Sequence, residues 1–145
     1  MVNGTAISTA TVDTLVNDYL AAQNASGAAD GSIAVGLIDG DIYRGVLSTL
    51  VGIEIETNAL ADAGTPLTQA NLDAATQELS TRQGFADATP ALVDFVARGL
   101  ALQPLFEAKF GTINDYVAKT QPDVLIDPRY GYWDATAAAV VPMQL

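Results

Sequence analysis

The side chains able to do chemistry in this chain are few, and the missing types narrow the field first. The sequence has no His and no Cys. That excludes a Ser-His-Asp triad, a Cys-His dyad, an imidazole metal site and any thiol or disulfide chemistry. Carboxylates remain. Asp30, Asp39 and Asp41, with Gly40 between the last two, form an acidic loop of a kind that can ligate calcium. The EF-hand spacing is absent, however, and nothing supplies its closing bidentate Glu. No metal and no cofactor is therefore expected. Glu54 and Glu56 fall on two sides of a helix and do not face each other. They read as a solvated surface, because an acid–base pair needs convergent geometry. No enzymatic site is expected.

Two cations and seven aromatic residues are the remaining candidates. Arg44 and Arg129 are expected to be paired structurally, in a salt bridge with a helix carboxylate or by stacking on a Tyr or Trp ring. Tyr43, Phe95, Phe106, Phe110, Tyr130, Tyr132 and Trp133 could hold an extended peptide segment, since helix faces commonly line such grooves. The Phe residues recur at helical spacing, which more often marks a core. Tyr130, Tyr132 and Trp133 sit in an irregular segment with Pro128 and Gly131, where both readings stand open.

The rest of the chain must position these groups. Its 145 residues make one domain, enough to bury about 70% of the surface its unfolded chain exposes. Half of the residues are hydrophobic and 16% are charged, a globular composition. A net charge of −11 argues against nucleic acid or an anionic membrane surface as partner. The most apolar stretch, Ala91 to Phe110, is interrupted by Asp94, Arg98, Glu107 and Lys109, so no transmembrane segment is expected. The start has no basic region followed by an apolar one. Two locations fit that: the cytoplasm, or export with the signal already removed. Asn3-Gly4-Thr5 and Asn24-Ala25-Ser26 match the glycosylation pattern and read as chance matches.

Punctuation and periodicity predict about five helices. Ser8 caps the first, with Val12, Leu15, Val16, Tyr19 and Leu20 on one face and an Ile7–Val12 staple. Asn24 to Asp41 reads as a loop around a short apolar piece, Ile33 to Ile38, of either helix or strand. A second helix runs from about Asp41 to Ala63, with a stripe of Tyr43, Val46, Leu47, Leu50, Ile53 and Leu60; Gly64 and Pro66 end it. Thr68 caps the third helix, whose buried face is Leu72, Ala75 and Leu79; Gly84 ends it. Thr89 caps the fourth, with Pro90 at its first position. Pro104 is expected to kink or break that helix, by removing a hydrogen bond and clashing with the Leu100 carbonyl. Thr112 caps a fifth, with Ile113, Tyr116 and Val117. Asp123 to Asp127, between prolines, reads as a strand. The tail, Ala135 to Leu145, is apolar without a period and is expected to be held loosely. No internal repeat is visible.

Three stretches carry a resemblance. Val2-Asn3-Gly4-Thr5-Ala6-Ile7-Ser8 before Val12 resembles the opening of the SurA and PrsA family of extracytoplasmic chaperones. Arg44-Gly45-Val46-Leu47-Ser48-Thr49-Leu50-Val51, followed by Ala61-Asp62-Ala63-Gly64-Thr65-Pro66-Leu67-Thr68, resembles that family's second helix and the start of its third. Val124-Leu125-Ile126-Asp127-Pro128-Arg129-Tyr130-Gly131-Tyr132-Trp133-Asp134 is similar to the ending of its actinobacterial lipoprotein branch. The resemblance spans Val2 to Asp134. It implies a mainly α, five-helix chaperone domain over 1–134, with short N- and C-terminal strands that pair, and a tail over 135–145. It also implies export, often with a lipid-anchored Cys, and the holding of unfolded polypeptide. The chain departs from the family in having no Cys, in lacking the usual strand residues before Val2, and in leaving no room for a parvulin domain.

Three functional expectations follow. The first is a non-enzymatic, extracytoplasmic module that binds unfolded or extended polypeptide. The second is an assembly module that forms homo-oligomers by exchanging terminal strands. The third, a carboxylate enzyme or cation-binding domain, ranks last.

Overall fold

The structure is a computed structural model that describes residues 1–25, 40–82, 85 and 87–144. The expected apolar piece Ile33 to Ile38, the carboxylates Asp30 and Asp39, and Gly84 lie outside the described residues. Among the described residues five helices carry the fold: α1 (Thr9–Ala25), α2 (Gly40–Asp62), α3 (Gln69–Ser80), α4 (Pro90–Phe110) and α5 (Ile113–Thr120). A two-stranded antiparallel sheet follows, β1 (Tyr132–Asp134) and β2 (Ala139–Val141), with Trp133 opposite Val140. The chain is mainly α, as the periodicity predicts.

The helix ends are set by local chemistry. The Ser8 hydroxyl accepts from the Thr11 amide at 3.1 Å. Thr68 and Asn71 form a reciprocal capping box, with Asn in place of the usual Glu or Gln. Thr89 and Thr112 cap α4 and α5 through the Leu92 and Asp115 amides, and Pro90 fills the first position of α4. At the end of α2, Gly64 takes φ +76. Its amide donates to Ala61 O at 3.0 Å and the Thr65 amide to Leu60 O at 2.9 Å. That is a Schellman turn, and it satisfies two carbonyls that the helix leaves over.

α2 is the central element, packing against α1, α4 and β2. The main core joins Val2, Val12, Leu15 and Val16 to Val46, Leu47, Val51 and Ile55 of α2, with Val117 and Val140. A second cluster joins Ala59 and Leu60 to Leu102 and Phe106. A third packs α3 on α4 through Ala75, Leu79, Ala97 and Ala101. Every buried residue among those described is apolar.

Three expectations change. Of the kink or break expected at Pro104, the break does not occur, and α4 runs as one 21-residue helix. Pro104 is exposed, and fully buried Leu102 and Phe106 anchor the helix on either side of it. The strand expected over Asp123 to Asp127 is reduced to one bridging residue, Val124, which pairs antiparallel with Val2. Only that short stretch has a partner. The Met1 ammonium donates to Leu125 O at 2.7 Å, the Leu125 amide to Met1 O at 2.8 Å, and the Asn3 amide to Asp123 O at 2.8 Å. The N-terminal side is itself a tight turn, with Asn3 at φ +46 and Gly4 at φ +85 between bridged Val2 and Thr5. Both signs suit an Asn-Gly pair. Finally, the segment expected as a loose tail supplies β2 and packs Val140 into the main core, because Ala139–Val141 pairs with β1 on one side and lies against α2 on the other.

Candidate functional site

A cleft of about 690 Å³ opens between α1, α2 and α4. Its walls follow from helical spacing. α2 lines it with Leu50, Ile53, Glu54 and Thr57, positions i, i+3, i+4 and i+7. α4 repeats that spacing with Ala91, Asp94, Phe95 and Arg98. The third wall is Thr11, Thr14 and Leu15 of α1, with Ile7 ahead of the helix. One hydrogen bond ties two walls together: the Thr89 hydroxyl donates to the Asp18 carboxylate at 2.7 Å, joining the start of α4 to α1.

The cleft floor is apolar and its charges are held along their own helices. Arg98 Nε donates to Asp94 Oδ2 at 2.8 Å. The Asn58 amide group donates to Glu54 Oε1 at 3.4 Å. The Thr57 hydroxyl is turned back onto Ile53 O at 2.6 Å, and the Ser8 hydroxyl is engaged with Thr11. The arrangement suits a segment with apolar side chains and a polar backbone. It does not converge a nucleophile on a base.

The seven aromatic candidates are scattered. Phe95 alone lines the cleft. Phe106 is fully buried and meets Phe110 at 5.1 Å and Tyr116 at 5.2 Å, ring centre to ring centre. Phe110 also packs edge-on against Tyr116 at 5.1 Å. Tyr43 stacks on Tyr130 at 5.9 Å, binding α2 to the segment before β1. Burial, and then the Asp13 carboxylate, push the Tyr43 hydroxyl above its ordinary range. Tyr132 is 41% exposed on β1. Trp133 packs against the main core, and its buried indole nitrogen has no hydrogen-bond partner among the described residues.

Both arginines are paired, each with a carboxylate close in sequence. Arg44 pairs with Asp41, one helical turn away. Arg129 grips Asp127, Nη2 to Oδ2 at 2.7 Å and Nε to both oxygens at 3.1 Å, and its guanidinium lies 5.8 Å from the centre of the Tyr130 ring. That fork holds the Asp127 carboxyl down at about 2. Asp41 is the one described member of the acidic loop. No group of three or more acidic residues poised for a metal occurs among the described residues. No described helix is long and apolar enough to cross a membrane.

Sequence reasoning missed most of the cleft. Leu50 and Ile53 read as core, yet both are half-buried at its edge. The available signal was the width of the α2 stripe. Tyr43 through Leu60 covers more of the helix than one partner helix can bury. Glu54 and Glu56, expected on a solvated surface, are both half-buried, and they face two different sides of α2, as expected. No protein-family model, no curated protein and no solved structure matches the chain.

Proposed function

We propose that the chain is a non-enzymatic chaperone-like module that binds unfolded or extended polypeptide in the α1–α2–α4 cleft. The observation that carries this reading is the cleft itself: about 690 Å³, walled by three helices, with an apolar floor, an Arg98–Asp94 pair on α4 and Glu54 hydrogen-bonded by Asn58 on α2. Extended chains are commonly held by apolar helix faces edged with polar groups. The net charge of −11 keeps such a holder soluble and favours basic or neutral segments. A place outside the cytoplasm belongs to the same proposal and rests on the resemblance of the opening and closing segments.

The test is light scattering from an aggregating, chemically unfolded client protein, with an equally acidic inert protein as control. Suppression at near-stoichiometric ratio, beyond the control, is expected. Scattering equal to the control would sink the reading.

A second reading, assembly by exchange of terminal segments, is favoured by one observation. Val2 is fully buried, and the hydrogen bonds that tie its segment to the C-terminal side are confined to Met1 and Asn3 against Asp123 and Leu125. A segment held by so few bonds could serve a second copy equally well. Chain mass in solution across a concentration series separates this reading from the first.

A further inference from the structure

A second cavity, of about 350 Å³, flanks the seam between α2 and α4. Ile53 lines both this cavity and the larger cleft, so the seam is a shared wall. The contact here is thinly filled. Gly52 and Gly99 face the cavity without side chains, and a Cβ at Gly99 would meet nothing within 4 Å. Among the described residues two carboxylates face it, Glu56 from α2 and Glu107 from α4.

No cation among the described residues lines this cavity to offset them. Lys109, two residues beyond Glu107, reaches away to Ala63 O and the Thr65 hydroxyl, both at 3.4 Å. Arg98, beside Gly99, is engaged with Asp94. On α2 itself, Glu54 faces the larger cleft. α5 contributes only Ile113 and the β1–β2 turn only Ala138. The Asp134 carboxylate at that turn is occupied by the Thr136 and Ala137 amides.

We propose that the α2–α4 seam is a pH-responsive joint, closed over a protonated Glu56 and loosened when Glu56 and Glu107 are both ionised. A proton on Glu56 removes the like-charge repulsion across the cavity, and its loss restores it. Burial first, and then Glu107, hold the Glu56 carboxyl up at about 7, so the transition falls near neutrality. The joint stands on the seam alone, whatever the larger cleft binds.

Amide hydrogen exchange on the full chain tests it, with rates corrected for the intrinsic effect of pH. Protection of the α2 and α4 amides around the cavity should fall about tenfold between pH 6 and pH 8. The isosteric variant Glu56→Gln should keep its protection over that range. Glu107→Gln, which removes the like charge, should show a smaller loss than the parent. Constant protection in the parent chain would overturn the proposal. So would an equal loss in Glu56→Gln, or an undiminished loss in Glu107→Gln.

Discussion

The Val140 amide donates to the Ser48 hydroxyl at 2.8 Å, across 92 positions of sequence. Ser48 in turn donates to Arg44 O at 2.6 Å. One hydroxyl thus fastens the last strand to the middle of α2. Ser48→Ala leaves the amide of a buried residue without an acceptor, at a cost of about 1–3 kcal/mol. Urea denaturation should show a lower midpoint with the slope unchanged. A midpoint equal to the parent's would mean that water serves the Val140 amide just as well.

Two glycines should respond with opposite signs. Gly131 sits at φ +133, and a Cβ there would meet Val141 O at 2.0 Å. Gly131→Ala must push the β1–β2 hairpin apart, costing about 2–3 kcal/mol. Gly45 is exposed inside α2 with nothing within 4 Å of a Cβ. Gly45→Ala should stabilise the chain by up to about 1 kcal/mol. Thermal melting of the two variants beside the parent checks both signs at once.

Local chemistry was legible in the sequence and distant pairing was not. Ser8, Thr68, Thr89, Thr112 and Gly64 mark helix ends because each acts within three or four residues of itself. The β1–β2 hairpin carries no such mark. Its turn has Ala138 at φ +48, a place that usually selects Gly or Asn. The turn is set instead by Asp134, which accepts from the Thr136 amide at 2.8 Å and the Ala137 amide at 3.3 Å. Val140 looks like any apolar tail residue until Trp133 and Ser48 are beside it. Among the site candidates, Arg44 finds the helix carboxylate expected for it in Asp41, whereas Arg129 lies near the Tyr130 ring as expected but pairs with Asp127, which is on no helix. The cleft needs three helices to meet, and spacing within one helix cannot say which edge of its stripe stays uncovered.

Stability should fall on both sides of a mildly acidic optimum. Glu56 has its folded value raised to about 7 from 4.5, so the native state binds the extra proton between those values. Its contribution is present in full below about 4.5 and is lost as pH rises through about 7. Because Glu56 is half-exposed, solvent screening reduces that contribution to about 1 kcal/mol. Asp127 runs the other way. Its folded value is lowered to about 2 from 3.8, so its contribution is present above 3.8 and lost as pH falls through about 2. Asp134 is lowered as well, by hydrogen bonds from Thr136, and acts in the same sense. Melting temperatures of the parent and Glu56→Gln from pH 3 to pH 9 check this. The variant should lose the decline between pH 5 and pH 8, and parallel curves there would show that Glu56 has no part in it.

Blocking the cleft from its outer wall separates binding from folding. Thr14 is exposed on α1 and lines the cleft without belonging to any core cluster. Thr14→Trp should fill part of the space with little change in stability, since exposed substitutions usually shift it by about 0.5 kcal/mol or less. If the cleft holds client segments, this variant should suppress aggregation several-fold less than the parent at equal concentration. Tyr132→Ala is the matched control. It removes an exposed aromatic on β1, a candidate from the sequence that lies outside the cleft lining. A loss of suppression in Thr14→Trp with retention in Tyr132→Ala assigns clients to the three-helix cleft. The reverse pattern would move the binding surface to the C-terminal hairpin and leave the cleft without a client.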